Sequence, residues 1–168
     1  MTSVFSYLKT MNESDLSMVH DIEQSAYDFP WSLQGFEKSL DQGLNYLFCN
    51  EQDSILGYCC ILPVLDEAHI LNICVSPKFQ RQGIARDAFT EILQRLEDSE
   101  FKVFLLEVRE SNAKARALYQ SLGFTEDGVR QGYYRAQVWN EQKQALVDTK
   151  ENAILMSYRL PSKVPSKR

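Results

Sequence analysis

Two side chains in LLEVRESNAKARALYQSLGF, residues 105–124, belong to types that can transfer protons. Glu107 lies in an otherwise apolar run typical of a strand, in which alternate side chains point to opposite faces. It therefore shares a face with Val103 and Leu105, and is either solvated at a strand end or directed into a cleft. A carboxylate in a cleft can act as a general base. Tyr119 follows in a predicted short helix, where a tyrosine before Leu-Gly-Phe is most often a core residue.

A second candidate site is the loop VSPKFQRQGIAR, residues 75–86, which connects a predicted strand to a predicted helix. Gly83 lacks the Cβ that would keep a ligand away from the main chain. Unpaired N–H groups and the helix dipole both attract anions to a helix start. The Gln-x-x-Gly-x-Ala spacing that ends at Ala85, together with Arg81 and Arg86, therefore predicts a pyrophosphate cradle. The alternative is an ordinary loop that contains a glycine.

Strands and helices in the order β-α-α-β-β-β-α-β-α-β-β are predicted to position these residues, from the periodicity of the apolar side chains. This order predicts one α+β domain over residues 1–160, with a mixed, mostly antiparallel central sheet flanked by helices. Residues 161–168 are predicted to form a flexible basic tail. The polar stretch NEQKQALVDTKEN, residues 140–152, is predicted to be a mobile segment between the last two strands.

The composition is that of a globular protein and argues against several classes of function. Of 168 residues, 44% are hydrophobic and 24% are charged, and the net charge of -5 gives no sign of a nucleic-acid-binding face. No run of about 18 apolar residues and no basic–apolar N-terminus is visible, so neither a membrane span nor a secretory signal is expected. The two histidines are too scattered for a metal site, and the four cysteines lie in apolar stretches typical of reduced core thiols. We expect a cytoplasmic protein without a metal.

The combined motifs resemble those of the Gcn-five-related N-acetyltransferase (GNAT) superfamily, in which the loop reads (Q/R)-x-x-G-x-(G/A). They are most similar to the RimI-type subgroup of ribosomal-protein-alanine N-acetyltransferases. The segments that match are FPWS (29–32), LDEAHILNICVSPKFQRQGIAR (65–86), LLEVRESNAKARALYQSLGF (105–124) and RQGYY (130–134). The resemblance implies the GNAT fold, with an acetyl-CoA thioester between two splayed strands. It also implies acetylation of a protein N-terminus, that of the eighteenth small-subunit ribosomal protein, with no direct nucleic-acid or membrane partner.

The resemblance assigns roles to individual residues. It implies that Glu107 is the general base for the amine and that Tyr119 is the general acid for the departing thiolate. The residues that it implies for acetyl-CoA binding are Ile73, Cys74, Val75, Arg81, Gln82, Gly83, Ile84, Ala85, Arg86 and Asn112. The residues that it implies for substrate binding are Phe29, Trp31, Tyr133 and Tyr134. Asn112 could equally cap the helix that begins there, and the aromatic side chains could belong to the core.

Three alternative interpretations depend on the chemistry of the amine and of the site. Lysines or small amines could be the acceptors, but a lysine of pKa ~10.4 needs about 4.6 kcal/mol for deprotonation at pH 7, against about 1.4 kcal/mol for an α-amine of pKa ~8. A non-catalytic acyl-CoA-binding module is the second alternative, and the presence of both Glu107 and Tyr119 argues against it. The third is a ping-pong route through Cys74, which has no histidine base nearby in the sequence.

Overall fold

The computed structural model describes residues 4–161, which divide into two compact units. The first unit contains residues 4–104 and 159–161, and the second contains residues 105–158. The single domain over residues 1–160 stays a prediction. The predicted basic tail lies outside the described residues except for Pro161.

The order of strands and helices predicted from the sequence is confirmed. The strands are β1 (Tyr7–Thr10), β2 (Leu44–Cys49), β3 (Ile55–Val64), β4 (Glu67–Val75), β5 (Val103–Arg109), β6 (Thr125–Asn140) and β7 (Ala145–Arg159). The helices are α1 (Leu16–Ala26), α2 (Leu33–Gln42), α3 (Ile84–Glu97) and α4 (Ala113–Ser121), with short 3₁₀ turns at Glu13–Asp15 and Pro77–Phe79. The predicted α+β class, with mostly antiparallel strand pairs, is confirmed as well.

Four antiparallel strands, paired in chain order from β1 to β4, form the sheet of the first unit. The apolar stripe of α1, which contains Leu16, Val19 and Ile22, is buried together with Phe36 of α2 and Tyr58 of β3. Helical spacing of apolar residues creates such a stripe, and its burial against the sheet fixes the direction of the helix. The core of the first unit therefore positions α1 and α2 next to β3 and β4.

The second unit contains most of β5, the helix α4 and the long β6–β7 hairpin. β7 lies between β5 and β6, and its antiparallel pairing with β6 extends from Thr125 opposite Ser157 to Asn140 opposite Ala145. The prediction of a mobile segment over residues 140–152 is therefore wrong, because β7 begins at Ala145. Most side chains of this part of the hairpin are exposed, so the strand needs no apolar–polar alternation and leaves little signal in the sequence.

Within residues 4–161, no helix has both the length and the apolar character needed to cross a membrane. The same residues contain no cluster of three or more His, Cys, Asp or Glu side chains that could hold a metal ion. The four cysteines are buried and carry free thiols, as predicted.

Candidate active site

The loop predicted to bind pyrophosphate connects β4 to α3 within the first unit. Gly83, the residue before α3, has a φ of 76°, and no side chain caps the helix start. Residues with a Cβ are strained in this left-handed conformation. A Cβ on Gly83 would meet no atom within 4 Å, so the space in front of the helix is open. The amide of Gln80 donates to the carbonyl of Val75 at 3.1 Å and ties the loop to the end of β4.

The first turn of α3 offers main-chain donors to a ligand. The N–H groups of Ile84, Ala85 and Arg86 precede the first intrahelical bond, which the N–H of Asp87 makes to the carbonyl of Gly83 at 3.1 Å. Such a helix start attracts phosphate groups. Arg81 and Arg86 are both exposed and add positive charge, while Asp87 brings one opposing charge to the first turn. The loop residues therefore fit a pyrophosphate.

The end of β4 is the segment that the resemblance implies for the acyl arm. Residues Ile73, Cys74 and Val75 pair with β3, and the carbonyl of Ile73 also accepts a hydrogen bond from the hydroxyl of Tyr27 at 2.8 Å. Burial raises the pKa of the Cys74 thiol to about 11. Only about 1 thiol in 10,000 is then ionised at pH 7. Cys74 is therefore a poor nucleophile, which argues against the ping-pong route.

Glu107 lies on β5 within a cluster of charged and phenolic side chains of the second unit. About a quarter of its side chain is exposed, and its Oε1 lies 3.1 Å from Nη1 of Arg130. Hydrogen bonding to the Glu107 carboxylate, together with burial, raises the pKa of Tyr133. The hydroxyl of Tyr134 donates to the main-chain carbonyl of Glu107 at 3.0 Å, and burial, followed by the charge of Glu107, raises the pKa of Tyr134 to about 12. Both phenols therefore remain protonated donors at neutral pH.

The alternation predicted for β5 explains why Glu107 is accessible. Phe104, Leu106 and Val108 are buried, whereas Glu107 and its neighbour on the same face, Leu105, are partly exposed. One face of the strand thus belongs to the core, and the other carries the carboxylate.

A bulge in β6 allows two consecutive tyrosines to reach Glu107. Adjacent residues of a regular strand point to opposite faces, but the register between β6 and β7 shifts between Arg130 and Tyr134. Gly132 adopts a φ of 57° within this irregularity, a conformation that glycine reaches without strain. Bulges redirect side chains and occur often beside active sites. The motif RQGYY therefore shapes the cluster as well as contributing Tyr133 and Tyr134 to it.

A second ion pair supports the cluster from the side of β7. Arg109 lies over the ring of Tyr134, with 4.6 Å from its guanidinium carbon to the ring centroid. Its Nη1 lies 2.8 Å from Oε1 of Glu151, and the N–H of Ser111 donates to Oε2 of Glu151 at 3.2 Å. Burial raises the pKa of Glu151, but the hydrogen bonds from Ser111 and Arg109 outweigh it and leave that pKa lowered. The Arg109–Glu151 pair therefore holds the ring of Tyr134 in place.

The structure shows Tyr119 packed in the core and Asn112 as the capping residue of α4. Tyr119 is 7% exposed, and its ring packs on Phe124 with centroids 5.9 Å apart. Oδ1 of Asn112 accepts a hydrogen bond from the N–H of Ala115 at 3.2 Å, so its capping of α4 is confirmed. The proton-donor role of Tyr119 and the cofactor contact of Asn112 stay predictions.

The remaining aromatic candidates, Phe29 and Trp31, belong to the segment between α1 and α2 and are both partly buried. The ring of Trp31 packs on Phe36 with centroids 5.2 Å apart. It also contributes to the wall of a cleft of about 380 Å³, which is lined as well by residues of β3 and β4 such as Leu62 and Leu71. Trp31 is thus a core contact that also reaches an accessible surface, and the contacts of Phe29 and Trp31 with a substrate stay predictions.

The predicted site residues fall into both units. The loop, the end of β4, Phe29 and Trp31 belong to the first unit, whereas Glu107, Asn112, Tyr119, Tyr133 and Tyr134 belong to the second. Sequence reasoning missed Arg130 as the partner of Glu107, although it lies in the RQGYY motif. It also missed Glu23, a buried acid that accepts a hydrogen bond from the N–H of Trp31. A signal for Glu23 existed, because it lies four residues after Val19 on the apolar face of α1.

Comparison with known proteins identifies the family of this chain. Residues 16–124 match the model of the acetyltransferase (GNAT) family, and the chain belongs to this family.

Individual relatives within this family have names that specify an activity. The chain is 36% identical over 152 residues to the ribosomal protein bS18-alanine N-acetyltransferase of Escherichia coli K12, an alignment that covers 89% of this chain and 95% of that protein. Its identity to the enzyme of the same name from Haemophilus ducreyi is 34% over 156 residues, covering 91% and 99%. The crystal structure of the ribosomal-protein-S18-alanine N-acetyltransferase from Escherichia coli matches the fold with a TM-score of 0.82 and 32% identity, covering 96% of this chain and 98% of that chain.

Proposed function

We propose that this protein is an acetyl-CoA-dependent N-acetyltransferase that acetylates the N-terminal alanine of ribosomal protein bS18. The observation that carries the proposal is the partly exposed carboxylate of Glu107, which contacts Arg130 and Tyr133 while Tyr134 binds the main-chain carbonyl of the same residue. A base in this position suits the removal of a proton from an amine. The similarity to enzymes named for bS18-alanine acetylation supports the choice of substrate.

Acetyl-CoA supplies the activated acetyl group as a thioester. The first-turn N–H groups of α3, with Gln82, Arg81 and Arg86, would hold its pyrophosphate, since they combine open main-chain donors with positive charge. The strand segment 73–75 would hold the acyl arm, and Asn112 would add a further contact. These roles follow the family resemblance and fit the open space in front of Gly83.

The chemistry proposed for the chain's own side chains is direct transfer in a ternary complex. Glu107 accepts a proton from the substrate ammonium, directly or through water, and the free amine then attacks the acyl carbonyl. A main-chain N–H of the segment 73–75 polarises that carbonyl. Tyr119 donates a proton to the departing sulfur. Because a thiol of pKa ~8.5 is a tolerable leaving group, this last proton assists the reaction without being essential.

The cluster around Glu107 suits this role because it orients the base without closing it off. Nη1 of Arg130 lies 3.1 Å from Oε1 of Glu107 in an ion pair, and about half of the arginine side chain is exposed. Tyr134 donates to the main-chain carbonyl of Glu107, whereas Tyr133 forms a hydrogen bond with its carboxylate, and about a quarter of that side chain stays exposed.

The proposal is tested with peptides that carry the N-terminal sequence of bS18. We expect acetyl transfer to the peptide with a free N-terminal alanine and none to the same peptide with a blocked N-terminus. A matched peptide with the alanine replaced by a bulky residue should be acetylated more slowly. Acetylation of blocked peptides alone would assign the enzyme to lysines or other amines and overturn the proposal.

A further inference from the structure

Glu23 of α1 is a buried carboxylate that the proposed chemistry does not use. It is 2% exposed and lies in the first unit. Its Oε1 accepts a hydrogen bond from the main-chain N–H of Trp31 at 3.0 Å, and its Oε2 accepts one from Nδ2 of Asn72 at 3.0 Å. Oε2 also accepts a hydrogen bond from the hydroxyl of Tyr58. These three hydrogen bonds connect α1 to β3, to β4 and to the segment before α2.

The three donors to Glu23 are all neutral, so no opposite charge offsets the free-energy cost of burying its carboxylate. Burial of a carboxylate costs several kcal/mol unless hydrogen bonds or opposite charges compensate it. An apolar side chain at this position, with apolar partners in place of Asn72 and Tyr58, would avoid this cost. Burial, with Cys74 and Glu23 nearby, raises the pKa of Tyr58 and keeps its hydroxyl a donor. Core packing alone therefore does not account for an acid at this position.

Of the three hydrogen bonds to Glu23, the one from the main-chain N–H of Trp31 connects Glu23 to a segment outside the helices and strands. Trp31 follows Pro30, which has no N–H, and precedes Ser32, whose Oγ accepts from the N–H of Gly35 at 3.2 Å and caps α2. Glu23 thus fixes the main chain of this irregular segment directly before the helix begins. The indole of Trp31 then forms part of the wall of the 380 Å³ cleft.

A second contact anchors the same segment to β4. The hydroxyl of Tyr27, the residue that ends α1, donates to the carbonyl of Ile73 at 2.8 Å. The N–H of Tyr27 in turn donates to the main-chain carbonyl of Glu23 at 3.1 Å. Glu23 therefore lies at the centre of the contacts that set the path of the chain from α1 to Trp31.

We propose that Glu23 is a positioning residue for the peptide substrate, acting through the main chain of Trp31. It holds the segment 29–32 in the conformation in which the indole of Trp31 faces the peptide. The inference rests on the proposed function, because it takes a peptide as the substrate. Preorganisation of a binding segment lowers the entropy lost when the ligand binds, so release of this segment weakens peptide binding more than it slows the chemistry.

The test compares Glu23→Leu, which removes every acceptor, with Tyr58→Phe, which removes one hydrogen bond to the same carboxylate and leaves the Trp31 bond intact. We expect Glu23→Leu to raise the KM for the peptide about tenfold or more, with kcat and the KM for acetyl-CoA within about twofold. Tyr58→Phe should leave all three parameters within about twofold. Equal changes in the peptide KM in both variants, or no change in either, would overturn the proposal.

Hydrogen exchange of the Trp31 amide separates this inference from the proposed function, since it needs no substrate. We expect exchange to be at least about tenfold faster in Glu23→Leu than in Tyr58→Phe, with Glu23→Gln between them because it keeps one acceptor oxygen. Unchanged protection in Glu23→Leu would refute the positioning role even in an active enzyme. If no peptide is acetylated but the exchange rates differ as expected, the proposed function fails and the anchoring of Trp31 by Glu23 stands.

Discussion

Two glutamates, each of which forms a hydrogen bond with a tyrosine hydroxyl, differ in what their surroundings allow them to do. Glu23 in the first unit is almost completely buried and accepts hydrogen bonds from three neutral donors. Glu107 in the second unit keeps about a quarter of its side chain exposed and pairs with the cation of Arg130. The first carboxylate has its lone pairs committed to fixed partners, whereas the second can exchange a partner for a substrate proton. Accessibility therefore separates a positioning acid from a candidate base.

The largest effect on catalysis is expected from replacement of Glu107, the proposed base. Glu107→Gln should lower kcat by about 10²–10⁴-fold, because a positioned general base typically contributes that much. Acetyl-CoA affinity, measured by calorimetry, should stay within about twofold, since the loop that is proposed to bind it belongs to the first unit. A kcat close to that of the wild type would remove Glu107 from its assigned role.

For stability the order of the two glutamates is reversed, and replacement of Glu23 is expected to have the larger effect. Glu23→Leu should lower the free energy of unfolding by about 2–4 kcal/mol, because three buried donors lose their acceptor. Glu107→Gln should change it by no more than about 1 kcal/mol, as is typical for a partly exposed pair. Urea unfolding followed by circular dichroism measures both values. If the two variants were equally stable, the burial of Glu23 would not distinguish the two acids.

A smaller effect on catalysis is expected from the phenol of Tyr119. Tyr119→Phe should lower kcat by about 10–10²-fold, since the thiolate can leave without a proton donor at some cost. The melting temperature should fall only modestly, because the ring and its packing on Phe124 are retained. A variant with wild-type kcat would leave Tyr119 with a core role alone.

The smallest loss of activity is expected from replacement of Arg130, the cation beside Glu107. Arg130→Gln should lower kcat by less than about tenfold and stability by about 0–1 kcal/mol, because the arginine is half exposed and the pair is only partly shielded from water. Initial rates and urea unfolding again provide the readouts. A loss as large as that of Glu107→Gln would mean that Arg130 itself takes part in the chemistry.

Most of the fold could be predicted from the sequence because its strands and helices have a buried face. The apolar stripe of α1 and the alternation in β5 are direct consequences of burial, and both were predicted. The β6–β7 hairpin beyond Tyr134 was missed for the same reason, since its side chains are mostly exposed and its polar residues resemble those of a loop. Main-chain pairing, such as Val138 opposite Val147, leaves no trace in the composition.

The candidate site was predictable only where a motif encodes it locally. Gly83 and the helix start after it can be recognised within one short segment, because the left-handed conformation selects for glycine. The Arg130–Glu107 pair joins residues of different strands that are far apart in the sequence. The hydrogen bonds of Glu23 likewise come from three separate segments. Contacts of this kind depend on the tertiary fold and cannot be deduced from spacing.

The most direct test of the account is the position of the acetyl group on a single peptide that offers both kinds of amine. The peptide begins with a free alanine of the bS18 sequence and contains one internal lysine, and tandem mass spectrometry locates the product. We expect acetylation of the α-amine, slowed about 10²–10⁴-fold in Glu107→Gln and retained with a higher peptide KM in Glu23→Leu. Acetylation of the lysine in preference to the α-amine would contradict it.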